Sequence, residues 1–282
     1  MPENYQDNWI TLNGLRLHYT EWGSPSKPTL LMLHGLNVTC HTWDPFAREL
    51  QKNHHVICPD LRGHGDSDWA REGYRVRQFA NDIHAFIDAL GTGPLHLVGH
   101  SNGVRVAIAV AGERPERIRS LALSDAGPQN SATGAVAMRD FLTETTNLRG
   151  FRDEGEARAF YLGHHAEWQP EFIDLHVKHQ LRRNWAGKLV PKQDPDLQWI
   201  AGSISLPDVK YLWKMAAKLT MPTLLMAGRT SNVIDAGVVD KMLATMPNAR
   251  ATWFDAGHYF LREKPQEFLD CLQGFLLENE TV

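Results

Sequence analysis

Short apolar runs recur along the chain, each too brief to be a helix and most followed by a helical repeat, and they restrict the fold more than any other feature. They are Thr29-Leu-Leu-Met-Leu-His34, His55-Val-Ile-Cys58, Leu95-His-Leu-Val98, Ile118-Arg-Ser-Leu-Ala-Leu123, Thr223-Leu-Leu-Met-Ala227 and Ala251-Thr-Trp-Phe254. A continuous apolar run bounded by turn residues is what a strand covered on both faces requires. Between the runs lie stretches such as residues 76–90, where Phe79, Ile83, Phe86, Ile87 and Leu90 recur at spacings of three and four; Phe268, Leu272, Phe275 and Leu276 repeat the stripe near the C-terminus. Strand and helix in alternation predict an α/β protein with a mostly parallel, doubly wound sheet. At the N-terminal end, Trp9 to Tyr19 alternate apolar and polar residues around Asn13-Gly14, which predicts an antiparallel hairpin and brings the sheet to about eight strands.

Composition supports one sizeable core and removes other classes. Of 282 residues, 43% are hydrophobic and 22% charged, ordinary usage for a folded domain. Lys and Arg total 29 against 33 Asp and Glu, a net charge of −4 that argues against a nucleic-acid partner. No apolar run approaches the length of a membrane span, and the first residues lack the basic and apolar pattern of a leader. A cytoplasmic protein with a small-molecule substrate and no membrane partner is expected, and a homo-oligomer stays open. Cys40, Cys58 and Cys271 are widely spaced and read as buried small hydrophobes rather than disulfide or metal partners.

One segment interrupts the alternation. Residues 128–213 contain no buried-strand run but do contain helical stretches at 157–165 and 171–185, together with Trp168, Trp185, Trp199 and Trp213. The expected organisation is a core of residues 1–127 and 214–282 with 128–213 inserted as a helical lid. Trp168, Trp185 and Tyr259 are expected to line a pocket under it, with Trp199 a weaker candidate. Arg149, Arg152, Arg182 and Arg183 either meet a substrate carboxylate or form a solvated face. His176 with His179, and His164 and His165 with Glu167, lack a third-ligand pattern, so no metal is expected.

Chemistry concentrates where strands end. The run at 95–98 leads into Gly99-His100-Ser101-Asn102-Gly103 and then a helical pattern, which is the strand, sharp turn and helix that a G-x-S-x-G nucleophile elbow needs. A serine of ordinary pKa requires a base within hydrogen-bond reach. His258, in Asp255-Ala-Gly-His-Tyr-Phe260 after the last strand, has the right place in chain order. Acyl transfer also requires N–H donors facing a developing oxyanion, and Leu36, behind the strand that ends in His34-Gly35, pairs with Asn102, the residue after the nucleophile.

With these pieces in place the chain resembles the α/β-hydrolase superfamily over nearly all its length. His34-Gly35, the segment Pro59-Asp60-Leu-Arg-Gly-His-Gly-Asp-Ser67, the elbow, and Gly257-His258 followed by Glu263 and Pro265 carry the resemblance. It implies that the Asp60 to Ser67 segment is scaffold and that a lid follows the sixth strand. It also exposes a departure. The family's usual acid follows the seventh core strand, three residues after a glycine, and that position here is Ser231. Asp125, at the end of the sixth strand, is the leading replacement; Asp235 is the second, though it reads as a helix cap; absence of an acid is the third.

The expected activity is therefore a serine hydrolase, independent of cofactors, that cleaves a small carboxylic ester, lactone or amide through an acyl-enzyme on Ser101. Alternatives on the same fold are a carbon–carbon bond hydrolase of ring-cleavage products, a cofactor-free dioxygenase using His258 as base, and a non-catalytic receptor with a degenerate site.

Overall fold

A computed structural model of the chain describes residues 5–131, 150–197 and 206–280. Eight strands build one sheet: β1 Tyr5–Leu12, β2 Leu15–Trp22, β3 Thr29–Leu33, β4 His55–Pro59, β5 Leu95–His100, β6 Ile118–Ser124, β9 Thr223–Gly228 and β10 Ala249–Phe254. The helices are α1 Asp44–Leu50, α2 Val76–Leu90, α3 Asn102–Glu113, α4 Glu154–His164, α5 Pro170–Gln180, α6 Leu206–Ala216, α7 Ala236–Thr245, α8 Phe260–Glu263 and α9 Pro265–Glu278. Strand order is β1-β2-β4-β3-β5-β6-β9-β10. Within this sheet, among the described residues, only the pairs β1–β2 and β2–β4 are antiparallel. The rest are parallel, as expected when helices cover both faces.

Side-chain alternation along each strand divides the core in two. Leu31 and Leu33 of β3 face a cluster with Phe79 and Phe86 of α2, Val104 and Ile108 of α3 and Leu212 of α6. Leu30 and Met32 face the other way, onto Trp43, Phe46 of α1 and Phe268, Leu272 and Phe275 of α9. The period-2 pattern of the strands and the period-3.6 stripes of the helices thus meet on both sides of one sheet. The hairpin turns at Asn13-Gly14 with both residues at positive φ, as its sequence requires.

Between β6 and β9 the described residues form α4, α5 and a two-stranded hairpin, β7 Leu181–Arg183 with β8 Leu189–Pro191. Phe151, Tyr161, Trp168, Ile173, Val177 and Leu189 give this segment its own apolar cluster, against which Tyr259 packs. The hairpin corrects the expectation of a helix to residue 185. The helix ends at Gln180, where Leu181 is already extended and starts β7; Asn184 then closes the hairpin, its Oδ1 accepting from the N–H groups of Ala186 and Lys188, both at 3.0 Å. Arg149 and Trp199 lie outside the described residues. Among the described residues no helix is long and apolar enough to cross a membrane.

Candidate active site

Parallel strands in register bring their carboxyl ends to one rim, and the polar residues that the sequence places after β5 and β6 meet there. His100 pairs with Ser124 and Ser124 with Met226. The next peptides continue the ladder: Ser101 N–H donates to Ser124 O at 2.9 Å, and Asp125 N–H to Met226 O at 2.8 Å. Ser101 and Asp125 are therefore neighbours across one strand spacing although 24 residues apart in sequence.

Both sit in left-handed backbone, Ser101 at φ 54° and Asp125 at φ 56°. Few non-glycine residues adopt this conformation, and it turns each side chain out of the sheet toward the rim. The elbow holds because α3 lies close to β3: a Cβ on Gly103 would stand 2.3 Å from Leu33 O, so only glycine permits that approach. Ser101 directly precedes the N-terminus of α3, whose first residue, Asn102, has an N–H with no partner inside the helix.

His258 arrives from the loop after β10 and joins the two. Its Nδ1 lies 2.6 Å from Asp125 Oδ2 and its Nε2 3.1 Å from Ser101 Oγ. With Nδ1 protonated the ring donates to the carboxylate, leaving Nε2 to accept the serine proton. The loop reaches this point by passing directly over Gly228, where a Cβ would stand 2.4 Å from Gly257 O. The Glu263 carboxylate anchors the loop by accepting from Gly257 N–H at 3.2 Å.

Asp125 is fully buried, and its carboxylate accepts from three donors. Besides His258, Gly228 N–H donates to Oδ1 at 2.7 Å and Ser231 Oγ–H donates to Oδ2 at 2.5 Å. Ser231, the residue at the usual acid position, thus supports an acid on the neighbouring strand. The sequence reading saw only a missing charge there. Asp235 does not approach His258: its carboxylate accepts from Val238 N–H at 2.9 Å and caps α7.

The rim opens on a cavity of about 400 Å³ lined by Leu36, Ser101, His258 and Tyr259, with Glu167, Thr230 and Asn232 also on its walls. Thr230 and Asn232 carry no signal in the sequence, and Glu167 stands out there only beside His164 and His165 as a metal candidate. Trp168 is buried behind Tyr259, stacked on His165 at 3.9 Å, and belongs to the lid cluster more than to the cavity. The expectation for Trp185 fails, because that side chain is 99% exposed in the β7–β8 turn. Of the lid arginines, Arg152 pairs with Glu156, Arg183 donates to Gly187 O and Arg182 stacks over Trp69. Burial pushes the Glu263 carboxyl above its ordinary range, and burial with the nearby Arg262 pushes His165 down to about 4.

Two sets of metal-capable side chains lie away from this cavity. His18, Cys40 and Asp60 form a hydrogen-bonded network in which His18 Nδ1 meets Asp60 Oδ2 at 2.7 Å and Nε2 meets Asp7 Oδ1 at 3.0 Å. In the other, His41 Nδ1 meets Asp44 at 2.9 Å, while the rings of His41 and His179 stack at 3.6 Å. Stacked imidazoles project their in-plane lone pairs side by side rather than toward a common point.

The family model described as alpha/beta hydrolase fold matches residues 28–265. A 3-hydroxybutyrate-oligomer hydrolase of Cupriavidus necator is 28% identical over 247 residues, which cover 81% of this chain and 82% of the relative. Lipase LipV of Mycobacterium tuberculosis is 28% identical over 273 residues, 92% of this chain and 97% of its own. Among solved structures, E-2-(acetamidomethylene)succinate hydrolase superposes with a TM-score of 0.88 at 23% identity, over 96% of this chain and 99% of that one. An alpha/beta hydrolase from Novosphingobium aromaticivorans gives 0.83 at 25% identity, over 98% and 99%.

Proposed function

The chain belongs to the α/β-hydrolase fold family, and from that premise we propose that it is a serine hydrolase cleaving a small carboxylic ester through an acyl-enzyme on Ser101. The observation that carries this reading is the single imidazole of His258 held between Asp125 Oδ2 and Ser101 Oγ. In the first step Nε2 takes the Ser101 proton as Oγ bonds to the carbonyl carbon. The N–H groups of Leu36 and Asn102 hold the oxyanion, and the imidazolium returns its proton to the leaving alkoxide. Water, deprotonated by the same nitrogen, then releases the acid. Asp125 keeps Nδ1 protonated and stabilises the imidazolium without taking its proton.

The described residues 150–197, with their own apolar cluster, act as the lid of this site, whereas α6 packs into the core. The hydrolase and lipase names of the relatives support ester chemistry. The acyl group is uncharged in this reading, because the charged side chains on the described walls, apart from the histidines, are the carboxylates of Glu167 and Glu263, which repel an anion.

Intact-mass spectrometry after mixing with a short activated aryl ester tests the assignment. An acyl adduct on the native chain that is absent from Ser101→Ala supports it, and turnover without any adduct or dependence on Ser101 defeats it. A neutral butyrate ester is expected to be hydrolysed faster than the matching succinate half-ester; the reverse order removes the charge argument.

A further inference from the structure

Arg262 is 3% exposed, yet among the described residues no carboxylate lies within ion-pair distance of it. Its guanidinium stacks over the Trp168 ring at 4.0 Å, and Nη2 donates to Thr42 Oγ1 at 3.0 Å. Nε and Nη1 are buried without a hydrogen-bond partner. A guanidinium stays charged in a protein, and a buried, uncompensated charge is among the costliest features a fold can carry.

The surroundings of Arg262 repeat the deficit. It lines a cavity of about 10 Å³ between the core turn that follows β3 and helix α5, shared with Thr39 and His176. That volume suits one small occupant. Thr39 Oγ1 and His176 Nδ1 are also buried and unpartnered. Four polar atoms, on a hydroxyl, an imidazole and a guanidinium, thus surround one space. Every one of these four can donate a hydrogen bond; His41, Thr42 and the amide of Gln180 also line the space, but no carboxylate side chain does. Burial, with Arg262 adding to it, holds His176 well below its ordinary pKa, so its ring is neutral and offers a single N–H. A water has two lone pairs for these donors, whereas a halide accepts several bonds and neutralises the guanidinium.

We propose that Arg262, His176 and Thr39 form a binding site for a small monovalent anion of the halide class at the seam between core and lid. The Trp168 ring on which Arg262 stacks lies 5.0 Å from that of Tyr259, which lines the larger cavity, and a third cavity bordered by His176, Gln180, His165 and Tyr259 lies beside both. Since Thr39 belongs to the core and His176 to α5, a bound anion ties the lid helix to the core.

Thermal unfolding of the full chain in sodium bromide, sodium acetate and sodium gluconate at equal ionic strength tests the proposal. Bromide is expected to leave Tm unchanged well below its dissociation constant and to raise it by about 3 °C per tenfold increase above it. Gluconate, too large for the cavity, is expected to have no such effect. Thr39→Val is expected to shift the bromide response to higher concentration, and Arg262→Met to abolish it. Protection by acetate that equals or exceeds bromide would assign the site to carboxylates instead and overturn the halide class. Identical melts of the native chain in bromide and gluconate overturn the site altogether. Should Arg262→Met fail to fold, anomalous diffraction from native crystals grown in bromide decides: a peak in contact with Nε or Nη1 of Arg262 is expected, and water alone at those atoms refutes it.

Discussion

Replacing Asp125 by Asn changes one atom in volume terms and reverses the proton pattern of the site. Gly228 N–H, fixed in the backbone, donates to Oδ1 at 2.7 Å, so the new amide oxygen takes that position. The NH2 group then stands where Oδ2 was, 2.6 Å from His258 Nδ1. Ser231 accommodates the change by rotating its hydroxyl to accept, but Nδ1 must also accept. The ring proton is thereby forced onto Nε2, which faces Ser101 and no longer takes its proton. The imidazolium also loses a carboxylate that is fully shielded from water. The same substitution in a serine protease costs about 10⁴ in kcat, equivalent to about 5.4 kcal/mol of transition-state stabilisation, and a loss of that size is expected here. The assay is kcat/KM on a short aryl ester, with thermal melting to show that the variant is folded. A folded Asp125→Asn enzyme within tenfold of the native rate would falsify the account, because no other described carboxylate is placed to orient Nδ1.

Further consequences can be measured alongside. Ser231→Ala removes one of three bonds to the carboxylate and leaves its charge, so turnover should persist with a loss of about tenfold, and abolished turnover would show that Ser231 does more than support Asp125. In Gly228→Ala the new Cβ would stand 2.4 Å from Gly257 O and push that carbonyl away, and the displaced His258 should lower kcat by about 10² with KM less affected, a split that steady-state kinetics reads directly. Asp82→Ala strands Arg62, whose guanidinium donates to both carboxylate oxygens in a buried pair, and should lower stability by about 3–5 kcal/mol in denaturant titration. Burial depresses His64 to about 3 and His96 to about 4, so near pH 5 each binds a proton in the unfolded chain and almost none in the folded one. Stability from these two should be complete well above pH 6.5 and fall as pH drops through it, with a slope approaching about 2.7 kcal/mol per pH unit near pH 5. His18 opposes one such share: burial pulls its pKa down, but the carboxylates of Asp60, Asp7 and Asp66 together outweigh burial and raise it. Unfolding free energies that do not decline between pH 6.5 and 5 would contradict the neutral state of the buried histidines.

Much of this protein follows from periodicity alone. Runs such as Thr29–Leu33 are apolar on both faces because helices cover both faces, and the stripe through Phe79, Ile83 and Phe86 marks the side of α2 that turns inward. Gly99 and Gly103 around Ser101 announce a tight turn because their environment rejects a Cβ. All of these are local demands, written into neighbouring residues, and a sequence displays them openly. Trp185 and the β7–β8 hairpin escape the sequence for the converse reason: a helical repeat of apolar residues says nothing about where pairing with a later strand replaces it, here from Leu181 on.

Contacts between distant residues belong to tertiary structure. Asp125 reaches His258 through the register of β5, β6 and β9 and through the path of the β10 loop over Gly228, and no spacing in the chain encodes that path. For the same reason Ser231 reads in sequence as an acid lost and in structure as a donor to the acid one strand away. The unpaired guanidinium of Arg262 was invisible as well, since a charged residue in a helical stretch looks solvated until packing buries it among Trp168, Thr42 and His176. Sequence patterns record which face of each element avoids water; which polar groups then meet is decided by strand register and loop course, which depend on the whole fold at once.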